Sequence, residues 1–582
     1  MAPSLRRAGE LARNLRFTTS FVARTLVEDP VWLAVQTARR APEPLRRPLV
    51  RALGLTPTPS APHALGRMLA GDTARAADEA EQLLARRDGR GLRVAAEVAV
   101  AVGRPDLLDG VDGAGPARYR AAWLLGDTES IGPDAPAGLR AQVAVLQPGP
   151  QDDASGRAHQ ARGAEPAPAG PTGPGGITVL HHLTNSLPHT QSGYTLRSHA
   201  ILVAQRAGGL RASATTRPGY PLTIGSLTAR GTDVVDGAAY QRLVPSRLLP
   251  DVARRTAQEA ELLTEAAREA GASVLHTTTP SANGVLARTA ARRLGIPWVY
   301  EVRGLPEETW VASHGTTEGR ARAAASRRRA LMQAKETELA LAADAVVTLS
   351  GTMRDALVAR GVPLERITVV PNAVSDALLT TEHPAPEAAR AALGLPAGPA
   401  IGTVSSLVDY EGLETVVRTV ATLRARGHDV TGVLVGDGVS RPGLARLARE
   451  LGVADHVVLP GRVPSDVALT WLAALDVVLV PRRDHEVTRL VTPLKPVEAM
   501  AVGRPVVASD LPALVEAVGG AGLHVGADDA EGWATSVGAL LEDVGRRAEL
   551  VERGRVVAAE RTWVRNAETY LGIYRTCLGV PA

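Results

Sequence analysis

Cysteine occurs once in 582 residues, at Cys577, so no disulfide can close within the chain. Phenylalanine occurs twice, at Phe17 and Phe21, one helical turn apart. Lysine also occurs twice, at Lys335 and Lys495, in a chain with 65 basic residues, so arginine fills nearly every other basic position. That bias, with abundant Ala, Gly and Val, points to a high-GC genome of the actinobacterial kind. No apolar run approaches the roughly 18–20 residues of a membrane-spanning helix. No apolar segment with a small-residue cleavage site follows the basic N-terminus, so the chain is expected to lack a signal peptide and to work in the cytoplasm. The net charge of +4 is too small to imply a nucleic-acid partner. What is present is an ordinary balance, 45% hydrophobic and 22% charged, able to bury large cores. At roughly 100–200 residues per domain the length suggests three or four units.

Residues 1–147 read as a helical region without strand patterns. Within it, residues 1–60 carry ten arginines against four acids. From Ser4 to Val27 an imperfect apolar face of Leu5, Ala8, Leu11, Leu15 and Val22 with Phe17 and Phe21 is flanked by arginines. Such a helix either packs on its own domain or lies on an anionic membrane surface, where the aromatic pair would insert at the headgroup boundary. Short Ala/Leu helices follow near 74–86, 92–102 and 117–125. In residues 148–176, Pro and Gly take 13 of 29 positions, the composition of a flexible linker. Strands then alternate with helices: strands at 177–184, 273–278, 297–302, 345–349 and 367–370, and helices near 195–207, 251–271, 281–293, 318–342 and 351–360. The pattern restarts with strands at 400–404, 432–435, 457–459, 477–480 and 505–509. Alternation of this kind implies two doubly wound parallel sheets in series, here 177–380 and 381–562, with a last helix at 563–582. Ligands of such sheets bind beyond the carboxyl ends of the strands.

The loop after the first strand, SLPHTQSGYTLRSH, has Gly193 at the start of a helix, where free backbone N–H groups and the positive dipole end suit an anion; a plain turn would look the same. With this loop, VLHTTTPSANGVLARTAARRLGIPWVYEVRG, ADAVVTLSGTMRDAL with ITVVPNAV, and LVGDGVSRPGL, VVLPGRVP, DVVLVPR and TPLKPVEAMAVGRPVVASD follow in order. Together they resemble glycosyltransferase family 4, retaining enzymes of the GT-B fold, over about residues 176–577, and most resemble members found with polysaccharide assembly. The resemblance implies two facing Rossmann-like domains and a hexosyl transfer from a nucleotide-sugar, which is a substrate rather than a cofactor, to a glycan or lipid-linked acceptor. It also implies a last helix that crosses back to the first domain. No acidic pair stands where it would chelate a donor diphosphate, so no metal is expected.

Lys495 in TPLKPVEAM is the foremost candidate. The resemblance implies a diphosphate contact, and a lysine kept in an arginine-rich chain suits a site that needs a compact point charge. Glu498 is the family's ribose-binding carboxylate, or else a first-turn glutamate facing the helix dipole. His276 resembles the first of a pair of strand-end histidines, the second being replaced by Thr278. Glu301 and Arg303 in YEVRG orient the acceptor or the diphosphate, or pair with each other. Gly436, Asp437 and Gly438 resemble the loop that approaches the nucleotide, and Gly461 and Val463 the segment that holds the base. Three departures stand out. The first Glu of the family's E-x7-E motif falls at Leu490, the basic pair after the second domain's first strand falls near Ser406 and Glu411, and the second His is absent. Substitute charges stand in PRRDHEVTRLVTPLK at Arg482, Arg483, Arg489 and Lys495, with Thr492 a donor-binding candidate in the same segment; a solvated basic turn would look the same. A sugar-nucleotide epimerase and a degenerate, non-enzymatic scaffold remain the alternatives.

Overall fold

The computed structural model describes residues 3–86, 89, 91–149, 176–249 and 251–581. The body of the Pro/Gly-rich segment expected at 148–176 lies outside them. Helices come first: Pro3–Glu28, Pro30–Arg40, Glu43–Gly54, Ala61–Ala70, Thr73–Arg86, Leu92–Ala101, Ala117–Leu125 and Ala137–Leu146. Their ends are chemically marked. Asp29 caps the second helix at Trp32 N, and Ser60 caps the fourth at His63 N. The helices approach closely because the buried faces carry small side chains, among them Ala64, Ala76, Ala80, Ala95, Ala96 and Ala99. Arg120 ties this unit internally through Asp29 and Glu97.

Strands β1 (Thr178–Leu183), β2 (Arg211–Thr216), β3 (Thr232–Val235), β4 (Ala238–Arg242), β5 (Val274–Thr278), β6 (Trp298–Val302), β7 (Ala345–Thr348) and β8 (Ile367–Val369) form an eight-stranded sheet in the order β3-β4-β2-β1-β5-β6-β7-β8. It is parallel except where β3 pairs antiparallel with β4. Strands β9 (Ala400–Val404), β10 (Thr431–Val435), β11 (Val457–Gly461), β12 (Val477–Val480), β13 (Val506–Ser509) and β14 (Gly522–Val525) form a six-stranded sheet in the order β11-β10-β9-β12-β13-β14. Both sheets are covered on two faces, which the period-two side-chain alternation makes possible. On β12, Val478 and Val480 enter one core while Val477 and Leu479 enter the other.

The two sheet domains meet directly. Leu490 and Val491 pack on the core of the first domain. Glu516 accepts from Gly351 N at 2.6 Å and from Thr352 N at 2.9 Å, a carboxylate at the positive end of the helix Gly351–Ala359. The chain enters the second domain at Val374, which bonds Arg561 and Trp563, so entry and exit lie side by side. The helix Trp563–Leu578 then buries Tyr570, Ile573 and Tyr574 against Ile177, Val179 and Ile201 of the first domain.

The first helix corrects one expectation. Phe17 is 3% exposed and packs on Leu222, Ala229 and Val244 of the first sheet domain, while Asn14 bonds the carbonyls of Leu227 and Ala229. Phe17 is therefore not a surface feature, while Phe21 is half-buried: the apparent single face is two faces, and Phe17 belongs to the inner one. The expected helix 318–342 is also divided, into Thr317–Ala324 and Arg327–Ala342, because Ser326 caps the second piece at Arg329 N. That break turns Arg328 between two indoles, 3.9 Å from the Trp123 ring centre and 4.3 Å from that of Trp310. Its Nη1 also donates to Trp123 O at 2.9 Å, and burial pulls its pKa down to about 9. Arg328 thus joins the helical unit to the first sheet domain. Replacing Arg328 with Ala is expected to cost about 2 kcal/mol, the worth of a desolvated cation–π contact. A lower thermal midpoint with faster chymotryptic cleavage within residues 1–147 is the expected result, and an unchanged melt and digest would contradict it.

Candidate functional site

In the second sheet β10 lies on one side of β9 and β12 on the other, so the chain reverses direction of travel between β9 and β12. A crevice opens beyond the carboxyl ends of strands at such a point. Its walls are the loop Ser405–Gly412 and the segment Pro481–Leu494. These loops are knitted by backbone bonds, Leu407 N to Asp437 O at 3.0 Å and Arg483 N to Tyr410 O at 3.1 Å. Gly436 has φ +136°, and a Cβ there would stand 1.8 Å from Ser405 O, so only glycine allows the loops this close. Gly461 O accepts from Gly436 N at 2.9 Å, Gly438 N is held by the Asp437 side chain at 2.9 Å, and Asp437 itself is exposed. Val463 packs against the neighbouring core. Gly436, Asp437, Gly438, Gly461 and Val463 thus form one continuous stretch of wall.

The charge in this crevice is organised by a residue the sequence did not single out as a partner. Glu411 accepts from Arg482 Nη2 at 2.9 Å and from Lys495 Nζ at 2.5 Å. Burial pushes the Glu411 carboxyl up, but Arg482 and Lys495 together outweigh it and hold it at about 2. Burial lowers Lys495, and Glu411 restores part of the loss. Arg482 also donates to Val491 O at 2.8 Å, which fixes its plane. Glu498 lies in the first turn of the helix Lys495–Ala501, and its carboxylate has no hydrogen-bond partner among the described residues. Burial raises its pKa to about 7, with Lys495 pulling the other way. Thr492 is buried and its carbonyl accepts from Asn372 Nδ2 at 3.0 Å, a bond between the two sheet domains.

Not every substitute charge joins this group. Arg489 is bound by Asp484 at 2.5 and 2.7 Å on an exposed turn, and Arg483 by Asp409 and Glu414. Arg482 and Lys495 alone of the four come together on one carboxylate. Leu490 does not leave a hole where the family has a glutamate, because it serves as an apolar contact between the domains.

Across the crevice, Ser192 caps the helix Gly193–Ala207 in a reciprocal capping box with Thr195. Gly193 begins that helix with nothing near its missing Cβ. Tyr194 beside it is 56% exposed, and its phenol feels both Arg303 of its own domain and Arg482 of the other. Arg303 Nη1 donates to Ser198 Oγ at 2.6 Å, and its Nη2 to Glu301 at 2.6 Å. Glu301 is fully buried. It also accepts from Arg197 Nη2 at 2.9 Å and from the Tyr570 hydroxyl at 2.9 Å, and stands 3.2 Å from His276 Nε2. Burial opposes its charge, but Arg303 and Arg197 hold its pKa well below the usual carboxylate range.

His276 is equally buried, stacked 4.5 Å from His181 and bonded at 2.7 Å to Tyr574. Burial lowers its pKa, with the neighbouring Glu301 carboxylate pulling the other way. His276 and Glu301 have no exposed surface and Arg303 is only 2% exposed, so the three form one buried group beneath the crevice rather than its surface. Arg197, Tyr570 and Tyr574 were missed; the one sequence signal was the i, i+4 spacing of the two tyrosines on the last helix. Among the described residues no group of three His, Cys, Asp or Glu side chains is placed to hold a metal ion.

Residues 192–373 match the family description "Glycosyl transferase 4-like domain" and residues 398–543 "Glycosyl transferases group 1". A D-inositol 3-phosphate glycosyltransferase of Acidothermus cellulolyticus is 33% identical over 310 residues, 51% of this chain and 65% of that protein. A 2-deoxystreptamine glucosyltransferase of Streptomyces kanamyceticus is 34% identical over 155 residues, 26% of this chain and 39% of that one. The matched stretches thus span less than two thirds of these relatives' lengths. Among solved structures, the sucrose-phosphate synthase of Thermosynechococcus elongatus aligns over 69% of this chain and 99% of its own, at 20% identity and a TM-score of 0.55. The Anabaena protein HepE in complex with UDP-glucose aligns over 69% and 100%, at 18% and 0.53. These likenesses establish the GT-B architecture, two Rossmann-like domains behind a helical N-terminal region.

The Glu411 arrangement has a consequence that can be read chemically, since the chain has only two amines on side chains. Glu411 raises the Lys495 pKa, so Glu411→Gln is expected to lower it further and to speed acetylation of Lys495 several-fold near pH 8. Lys335, bound to Glu338, serves as the internal standard. Peptide mass spectrometry after a limiting dose of acetic anhydride reads both. Equal labelling of Lys495 in the two proteins would remove Glu411 from this role.

Proposed function

The chain belongs to the glycosyl transferases of group 1, with a glycosyl transferase 4-like first domain, and on that premise we propose that it transfers a sugar from a nucleotide-sugar, UDP- or GDP-linked, to a cell-envelope, polysaccharide or lipid-linked acceptor. The observation that carries this reading is the pair of cations, Lys495 and Arg482, fixed on Glu411 at the switch point of the second sheet. On Glu411 itself two positive charges and one negative leave an excess of one, set in place before any ligand arrives, with Glu498 adding a negative charge where it ionises. A departing nucleoside diphosphate gains negative charge as the glycosidic bond breaks, and preorganised cations stabilise that charge more than they stabilise the intact donor. Glu498 is suited to accept from the paired ribose hydroxyls, and the walls at Gly436–Gly438 and Gly461–Val463 to hold the base through the backbone. HepE was solved with UDP-glucose on this same fold.

Tyr194 and the N-terminus of the helix Gly193–Ala207 face the acceptor side, with the buried Arg303, steadied by Glu301 and His276, behind them. In the proposed reaction the acceptor hydroxyl attacks on the face the diphosphate leaves. That same-face attack retains the anomeric configuration, and the hydroxyl proton passes to the departing phosphate oxygen. Fixed positive charge does here what a bound metal does elsewhere, and we expect turnover without one. Contact between the domains excludes water from the donor. An acceptor carried on a lipid places the reaction at the inner face of the cell membrane. No helix among the described residues is long and apolar enough to cross a membrane, so contact with the bilayer would be peripheral.

Two outcomes test this reading. Lys495→Ala is expected to reduce transfer by on the order of 10²-fold or more in a protein that still melts cooperatively, at a lowered midpoint because Glu411 keeps only Arg482, assayed with UDP- and GDP-sugars and a cell-envelope lipid extract. Wild-type turnover by that variant would refute the role of Lys495, and product formed without any acceptor would favour an epimerase.

The pH dependence of binding should follow Glu498, whose free carboxyl titrates near 7. Ribose hydroxyls donate to the ionised form, so binding favours the carboxylate. Affinity for UDP is therefore full above pH 7 and weakens as the pH falls below it, by up to about tenfold per unit. Calorimetry between pH 5.5 and 8.5 is expected to show this slope in the wild type and a flat profile in Glu498→Gln. A slope that survives the substitution would assign the proton elsewhere.

A further inference from the structure

The helix Pro3–Glu28 turns one face inward, with Asn14 and Phe17 seated on the first sheet domain. Its other face is covered by none of the described residues. Leu11, Leu15, Val22 and Leu26 are 39%, 68%, 42% and 55% exposed, and Val27 is 84% exposed. At 3.6 residues per turn the first four lie within roughly 60° of one another around the helix. Ala8, Ala12, Thr19 and Ala23 fill in the same exposed face, and Arg16 borders it. Among the described residues from Arg7 to Glu28, no acidic side chain is exposed. The apolar surface extends onto the sheet domain, where Ile224 and Leu227 are 44% and 50% exposed in the loop that Asn14 grips. Further along, exposed Arg39, Arg40, Arg47 and Arg51 face a single exposed acid, Glu43, in the next two helices.

We propose that this outer face is a docking surface for an anionic lipid bilayer, in which the first helix lies flat with Leu11, Leu15, Val22 and Leu26 among the acyl chains. The proposal deepens the membrane-face location given above and rests on it. A soluble chain gains nothing by exposing a stripe of aliphatic side chains over four turns, since each would be more stable out of water. The stripe and its cations have complementary partners in one surface, acyl chains below and anionic headgroups at their level, each cation near such a leaflet contributing roughly 1 kcal/mol. The inner face meanwhile holds the enzyme to the helix, so the anchor is rigid. The placement also serves the acceptor. An open cavity of about 510 Å³ beside this helix is lined by Arg7, Thr228, Arg230, Asp233 and His189, and His189 stands in the loop that leads from β1 to Gly193. A lipid-linked acceptor lying in the bilayer would thus meet the enzyme beside the loop that opens its acceptor side.

The test compares full-length wild type with Leu15→Glu/Leu26→Glu, both sites being exposed enough for the fold to accept the change. Flotation is measured on vesicles of phosphatidylcholine alone and with 30% phosphatidylglycerol, at low and high salt, with UDP binding measured on the same samples. The expected result is flotation of the wild type with anionic vesicles, reduced by neutral lipid and by salt, and a loss of at least tenfold in the variant at unchanged melting temperature and UDP affinity. The proposal is overturned if the wild type fails to float, if the variant floats equally well, or if light scattering shows a wild-type dimer that the variant dissolves, which would make the stripe a self-association face. Failure of UDP binding in both proteins, with flotation intact, would fault the donor reading and leave the docking surface standing.

Discussion

A single buried carboxylate, that of Glu301, ties together the parts on which the crevice depends. It ends β6 with no exposure to water and is held between Arg197 and Arg303, with Tyr570 as a third donor. A charge in such a place is tolerated only with full pairing, and taking one partner from such a group costs about 3–5 kcal/mol. The partners come from distant stretches of chain. Arg197 opens the helix after β1 and also bonds the carbonyls of Val370 and Pro371. Tyr570 belongs to the helix that returns from the second domain. Asn372, bonded by Arg197, reaches over to Thr492. The position of the segment bearing Lys495 is thus set in part by a carboxylate in the other domain.

The second domain repeats the device with a different balance. Glu411 too is a buried carboxylate between two cations, but one of its partners, Lys495, keeps part of its side chain at the crevice, and a third ionisable group, Glu498, has no hydrogen-bond partner among the described residues. The first arrangement is closed off from water and serves as a support. The second is unsaturated, and an unsaturated preorganised site is one that a ligand can complete. Polar residues that pack and polar residues that act are distinguished here by what is left over after pairing.

Strands rich in Val and Ile were legible in the sequence, and β5, β6, β9, β10 and β12 fall where their apolar runs predict. The strands that escaped were those whose burial needs no large side chain. β2 is RASATT, and its Ala and Thr residues suffice because Leu202 and Tyr240 fill the space around them. The β3–β4 hairpin carried a readable signal, the Asp236–Gly237 turn with φ of +45° and +77°. Lys495 was legible because composition made it rare. Glu411 was not, because its meaning lies in a contact 84 residues away along the chain, and a carboxylate read alone at a position expected to be basic looks like a loss. The inner and outer faces of the first helix were merged for a related reason: apolar residues on both faces give a broad periodic signal, and only the partner surface separates them.

The central claim is that the fixed cations on Glu411 receive the diphosphate of a nucleotide. Because the chain has two lysines, protection of Lys495 from acetylation reports that contact directly. With saturating UDP the account predicts that Lys495 is shielded while Lys335 labels as before, and that uridine, which lacks the phosphates, gives little shielding. Unchanged labelling of Lys495 in UDP, or equal shielding by uridine, would contradict it.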